Sequence, residues 1–84
     1  MAFNVHEAIA KEYDKYPGYH FETMDLGYII EGLQYFSLSE KKRRLTRIKE
    51  ERIEEYRDKE LFVKLQDIAE RYVSECEKEA QGVA

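Results

Sequence analysis

The sequence predicts an all-α fold in which two short amino-terminal helices pack on a long carboxy-terminal helix or on a kinked helix pair. Three observations favour this class. Residues 39–79 contain neither Pro nor Gly and are mostly good helix formers. Two segments nearer the amino terminus repeat apolar residues at the spacing of one helix face. Turn-forming residues separate these segments, at Pro17-Gly18 and at residues 37–39.

The first predicted helix runs from about residue 5 to residue 15. Asn4 is a good N-cap, and Glu7 stands three residues later, as in a capping box. Pro17-Gly18 ends the helix, because Pro disfavours helical geometry in the residue before it. The apolar face of this helix comprises Val5, Ala8, Ile9, Tyr13 and Tyr16.

The second predicted helix covers residues 24–36, with Thr23 or Asp25 as its N-cap. Gly27 and Gly32 lie inside it, and each costs about 1 kcal/mol relative to Ala in a helix interior. Close approach of a neighbouring helix would offset that cost. A strand over residues 27–30 is the alternative, but the helical spacing is better sustained. The apolar stripe comprises Leu26, Ile29, Ile30, Leu33 and Phe36.

The long carboxy-terminal stretch, for which Ser39 is the predicted N-cap, extends to about residue 80. Its apolar stripe up to Tyr56 and its stripe from Leu61 onward are turned from each other by roughly 160–200° at the helical angle per residue. One continuous helix of about 60 Å would carry two opposite faces. A joint near Asp58 would instead make two helices that face one core. We favour the continuous helix, because residues 57–60 contain no strong helix breaker.

A continuous helix would expose its second apolar stripe, and we therefore predict a homodimer. An 84-residue chain has a small core, and docking on a second copy would bury the surplus apolar surface. If the stretch bends, the same residues close the core of the protein itself. The predicted self-association face comprises Leu61, Leu65, Ile68, Tyr72 and Cys76.

Aromatic residues are concentrated near the amino terminus, with eight of the eleven in the first 36 residues. Tyrosine combines a large contact area with a polar tip, which suits half-buried surfaces and interfaces. These residues could simply form the small core and its rim. The alternative, on which we base a partner-binding prediction, is that another protein contacts Tyr16, Tyr19, Tyr28 and Tyr35.

Six cations stand within residues 41–49. On a helix, Arg43, Arg44 and Arg47 project together and could contact phosphates. Acidic residues continue the same face, however, so a solvated surface with weak ion pairs such as Glu40–Arg44 is the simplest interpretation. The basic and acidic halves would also complement each other in an antiparallel dimer. A small nucleic-acid-binding regulator that uses the cluster Lys41–Lys49 is therefore the alternative function.

The sequence shows no catalytic or metal-binding motif. Cys76 is the only cysteine, and the His6-Glu7 pair lacks the second histidine of an HExxH motif. We therefore expect no enzymatic activity, no cofactor, no metal ion and no small-molecule substrate. Neither a signal peptide nor an apolar window of about 18 residues is present, so we expect a cytoplasmic protein without a membrane segment.

The predicted function is therefore that of a small helical protein-protein interaction module. It would act as a homodimer, or as a binder or inhibitor of a partner protein. The net charge of −4 argues against bulk electrostatic attraction to nucleic acid and permits an acidic helical protein that occupies a basic channel of its partner.

Overall fold

The computed structural model describes residues 3–16, 26–51 and 59–82, and this part of the chain is all-α, as predicted. Helices account for 83% of these residues, and no strand occurs among them. The predicted alternative of a strand over residues 27–30 is therefore wrong. The helices are α1 (Val5–Tyr13), α2 (Leu26–Glu31), a 3-10 turn (Gly32–Tyr35), α3 (Leu38–Lys49) and α4 (Lys59–Ala80).

Side chains cap the starts of α1 and α3. The Glu7 amide donates to Asn4 Oδ1 at 3.0 Å, which confirms the predicted N-cap of α1. The N-cap of α3 is Ser37 and not Ser39, because the Glu40 amide donates to Ser37 Oγ at 3.3 Å. Ser37 and Glu40 have the S-x-x-E spacing of a capping box, which selects this serine over the one two residues later.

In the second helical segment, regular α-helix ends earlier than predicted and a more tightly wound turn follows it. Regular α-helix ends at Glu31 and a 3-10 turn carries the chain to Tyr35, while Thr23 and Asp25 lie outside the described residues. The predicted close approach occurs at Gly27, where the Tyr13 ring packs against the backbone. A Cβ built on Gly27 would lie 2.7 Å from Tyr13 Cε2 and 2.9 Å from Tyr13 Cζ.

The long carboxy-terminal stretch is two antiparallel helices, so the continuous helix that we favoured is wrong and the version with a joint is correct. Lys42 Nζ lies 3.1 Å from Glu77 Oε2, and Lys49 Nζ lies 3.4 Å from Glu70 Oε1. As the residue number increases along α3, the number of the contacting residue in α4 decreases, so the two helices run antiparallel. Asp58, the predicted joint, lies outside the described residues. The reversal lets Leu45 and Ile48 of α3 face the same core as the apolar stripe of α4, whereas a straight helix would leave the α4 stripe in water.

The core lies around α4, which contacts α1, α2 and α3. Gln66 fixes the packing of α4 on the end of α3, since its Nε2 donates to the Ile48 carbonyl at 2.9 Å. The described core residues are Val5, Ile9, Tyr13, Leu26, Ile30, Leu33, Ile48, Leu61, Phe62, Leu65, Ala69, Tyr72, Val73 and Cys76.

The predicted self-association face belongs to this core. Leu61, Leu65, Tyr72 and Cys76 are buried against the helices of the same chain, and Ile68 is partly buried beside them. The prediction that these residues form a dimer interface is therefore wrong for the folded protein. The physical reason is the bend: once α4 folds back on α3, its apolar stripe contacts α1, α2 and α3 and is no longer available to a second copy.

Candidate functional site

Four large apolar side chains remain exposed where α2, the 3-10 turn and the start of α3 meet. Their exposed fractions are 49% for Tyr28, 42% for Ile29, 84% for Tyr35 and 37% for Phe36. All four line one shallow, open depression of about 410 Å³, together with Arg44. We call these four residues the aromatic patch.

The patch is exposed because the segment from Leu26 to Phe36 carries more apolar residues than one face can bury. Leu26, Ile30 and Leu33 follow at spacings of four and three residues and face the core. Ile29 and Phe36, which we placed in the predicted core stripe, are exposed instead. The change to a 3-10 turn alters the angle per residue after Glu31, so an extrapolated α-helical stripe no longer follows the core at Phe36. Ile29 lies within regular α2, at the edge of the stripe formed by Leu26 and Ile30.

Arg44 forms the edge of the patch on the α3 side. Its Cζ atom lies 3.9 Å from the centroid of the Phe36 ring, a cation–π contact. Arg44 Nε also donates to Glu40 Oε1 at 3.0 Å, and Arg43 Nε donates to Glu40 Oε2 at 3.0 Å. One carboxylate therefore holds two guanidinium groups, and one positive charge stays in excess among the three side chains.

The pKa shifts at this edge follow from the same contacts. The hydrogen bond from Arg43, with the charges of both arginines, holds the pKa of Glu40 below its ordinary value. The hydrogen bond to Glu40 raises the pKa of Arg43. Both groups are therefore ionised at neutral pH, so the positive excess beside the patch persists there.

Glu31 also lines the depression and connects it to α1. Its Oε1 atom lies 2.8 Å from His6 Nδ1, which joins α2 to the first turns of α1. The two carboxylates near the patch, those of Glu31 and Glu40, thus both contact nitrogen-bearing side chains of the protein itself.

The structure brings together two of the four predicted partner-binding tyrosines. Tyr28 and Tyr35 line the same depression. Tyr16 lies apart from them, partly buried against the core, and Tyr19 lies outside the described residues. Sequence reasoning did not assign Ile29, Phe36 and Arg44 to this surface. The available signal was composition: seven large apolar residues occur in the eleven positions from 26 to 36, more than one helix face can bury.

The basic cluster of α3 is largely engaged in contacts within the protein. Lys42 and Lys49 pair with carboxylates of α4, Arg43 and Arg44 share Glu40, and Lys41 Nζ lies 5.3 Å from the centroid of the Tyr72 ring. Arg47 makes no ion pair with any described residue. Two of the three arginines predicted to touch phosphates are therefore held by one carboxylate, and their contact with nucleic acid stays a prediction.

Other parts of the described surface offer less organised chemistry. A wider depression of about 990 Å³ runs between α1 and α4, but its lining mixes both signs of charge. Lys11 Nζ there lies 3.2 Å from Glu7 Oε1, and Arg71 stacks 4.5 Å from the Phe3 centroid. Residues 3–16, 26–51 and 59–82 contain no group of three or more His, Cys, Asp or Glu side chains arranged to hold a metal ion. In the same ranges, no helix combines the length and apolar character needed to cross a bilayer.

Cys76 lies buried beside Tyr72 at the α3–α4 contact. Burial, together with a hydrogen bond to Cys76, raises the pKa of the Tyr72 phenol. Both side chains belong to the core, so the one cysteine is part of the packing of α4 rather than of the exposed surface.

Comparison with known proteins found no match to a protein-family model, to a curated protein sequence or to a solved structure, so the function has to be argued from the surface of this chain.

Proposed function

We propose that this protein is a non-enzymatic protein-binding module and that the aromatic patch is its interface. The observation that carries the proposal is the convergence of four large apolar side chains, 37–84% exposed, on one concave site with a guanidinium at its edge. Contiguous apolar surface of this kind on a small protein commonly marks an interaction site.

The residue types of the patch support this function. Tyrosine and arginine are enriched among the side chains that dominate binding energy at protein interfaces. Tyr28 and Tyr35 present large rings with few rotatable bonds, so ordering them on a partner costs little conformational entropy. The depression is open and at the lower end of the volume range of small-molecule pockets, roughly 300–1,000 Å³. It therefore suits a few side chains of a protein better than an enclosed ligand.

Buried residues of the same segment and the contact of Arg44 with Phe36 hold the patch in place. Ile30 and Leu33, from the same segment, are fully buried, and Phe36 is held by Arg44. A binding surface on fixed elements loses less entropy on association than one on a loose loop. These features favour a preformed docking surface.

Comparative affinity capture from the native cell tests the proposal. Three baits are needed: the wild-type chain, the variant Tyr28→Ser/Tyr35→Ser, and the matched control Val63→Ser, which alters an exposed apolar residue of α4 outside the patch. We expect a partner that the wild-type and control baits retain equally and that the patch variant loses at least tenfold. The purified partner should show the same order of affinities. Equal retention by all three baits would contradict the proposal.

A further inference from the structure

We infer that the partner presents an acidic segment to the aromatic patch, with large apolar side chains in the depression and carboxylates on Arg44 and Arg47. This inference rests on the proposed function and names the chemistry of the partner. It follows from the charges and hydrogen-bond donors that surround the patch.

Arg44 has hydrogen-bond donors that a carboxylate of the partner could use. A guanidinium carries five N–H donors, and the one on Nε is used on Glu40. No described residue accepts a hydrogen bond from its two Nη groups. The group is held over the Phe36 ring, so its planar edge is ordered and still has donors to offer. A carboxylate is the partner group whose two oxygens fit such an edge.

Arg47 is a second arginine of α3 that a carboxylate of the partner could contact. It lies one helical turn beyond Arg44 on α3, is exposed, and pairs with no carboxylate among the described residues. Arg43, Arg44 and Arg47 together carry three positive charges against the one carboxylate of Glu40. The α3 edge of the patch is thus locally positive, although the whole chain has a formal charge of −4.

The two charged residues that line the depression set the orientation of the partner. Glu31 contributes a carboxylate, which contacts His6 Nδ1 and would repel a carboxylate of the partner, whereas Arg44 contributes a guanidinium that would attract one. The apolar side chains of the patch share this lining. An acidic segment would therefore place its apolar groups on the patch and its carboxylates toward α3.

A nucleic acid fits this surface less well than an acidic protein segment. Aromatic rings beside arginine can stack bases, but Arg44 is the only Lys or Arg side chain among the described residues that line the depression, so a phosphate chain crossing it would find few cations. The remaining cations of the cluster are engaged by Glu70, Glu77 and the Tyr72 ring. A negatively charged protein also lacks the bulk attraction on which non-specific nucleic-acid binding depends.

Selection from a random dodecapeptide library displayed on phage tests the inference with the full-length chain as the target. Clones are kept only if they bind wild-type protein and the Val63→Ser control and fail to bind Tyr28→Ser/Tyr35→Ser. We expect these clones to be enriched at least twofold in Asp and Glu over the input library and to contain Leu or aromatic residues. Selection against Arg44→Glu/Arg47→Glu should instead enrich Lys and Arg.

Single substitutions then measure the role of each cation with one selected synthetic peptide. Arg44→Ala and Arg47→Ala should each weaken binding about fivefold, as expected for an exposed charge pair. Arg44→Lys should weaken it less than Arg44→Ala. Arg71→Ala is the matched control, because it removes one charge and one cation–ring contact away from the patch, and it should leave the affinity unchanged. Arg47→Ala removes no ion pair with a described residue, so it separates binding from folding.

The outcomes separate the inference from the proposed function. If no clone depends on the patch, the proposed function fails. Patch-dependent clones without acidic enrichment, or equal effects of Arg44→Ala and Arg71→Ala, overturn the inference alone. Binding of labelled single-stranded RNA or DNA that is lost in Tyr28→Ser/Tyr35→Ser would assign the surface to nucleic acid. A concentration-dependent dimer in sedimentation that the same variant abolishes would assign it to a second copy of the chain.

Discussion

Replacing Gly27 by alanine should destabilise the protein by up to about 2 kcal/mol, although alanine is normally the better helix former. A Cβ at this position would overlap the Tyr13 ring, with Cε2 at 2.7 Å and Cζ at 2.9 Å. Tyr13 is a core residue at the α1–α2 contact, so the ring can yield only by disturbing that packing. Overpacking of this kind costs about 1–3 kcal/mol, and the gain in helix propensity returns about 1 kcal/mol of it.

Gly32→Ala is the matched control. A Cβ there would meet no atom within 4 Å, and Gly82 is the described glycine with a positive φ angle. Alanine at position 32 should therefore stabilise the protein by about 0.4–1 kcal/mol, because it reduces the conformational entropy of the unfolded chain. The two substitutions are chemically identical, so a difference in sign between them isolates the contact with Tyr13.

Thermal and urea unfolding followed by circular dichroism measures both variants. A change of 1 kcal/mol shifts the Tm of a chain of this size by roughly 4–8 °C. The melting temperature should fall for Gly27→Ala and rise slightly for Gly32→Ala. In a Tyr13→Leu background, Gly27→Ala should lose most of its cost, since the clashing ring is absent. A Gly27→Ala variant as stable as the Gly32→Ala variant would show that the Tyr13 ring does not restrict position 27.

Three further predictions concern the core, the start of α3 and the alkaline limit of stability. Leu65→Ala should lower the free energy of unfolding by about 2–5 kcal/mol, because Leu65 is fully buried, whereas Val63→Ala should change it by less than about 0.5 kcal/mol in the same urea titration. Ser37→Ala should cost about 1 kcal/mol through loss of the N-cap, while Ser39→Ala should be near neutral, and equal effects would contradict the assignment. Burial raises the pKa of the Tyr72 phenol in the folded state above its ordinary value of about 10. The buried neutral phenol therefore contributes fully to the free energy of unfolding below about pH 10, and this contribution is lost as the pH rises through the raised pKa. Tyr72→Phe should therefore show a smaller loss of stability in unfolding curves above about pH 10.

The sequence predicted the helices more reliably than their arrangement. Asn4 and the apolar spacing that follows it are local signals, and α1 formed where they indicated. The change of apolar side between Tyr56 and Leu61 was also visible, but the choice between a straight and a bent stretch was wrong. Local helix propensity favoured the straight form, and the packing of α3 and α4 around one core overrode it.

The candidate site was predicted only in part, for a related reason. Tyr28 and Tyr35 could be singled out by residue type, because exposed tyrosines are common at interfaces. Phe36 was assigned to the core by extrapolating one helical angle through a segment that becomes a 3-10 turn, whereas Ile29 lies in regular α2 at the edge of the buried stripe. The contact of Arg44 with Phe36 depends on how the chain turns into α3, and no single-sequence pattern encodes that approach.

Photo-crosslinking in the native cell tests directly whether the aromatic patch binds another protein. A benzophenone amino acid replaces Tyr35 in one variant and Val63 in the other, so both probes occupy exposed positions of a folded chain. We expect a discrete crosslinked partner from position 35, absent from position 63, that disappears when Tyr28→Ser is added. Adducts that are the same from both positions, or that form only from position 63, would contradict it.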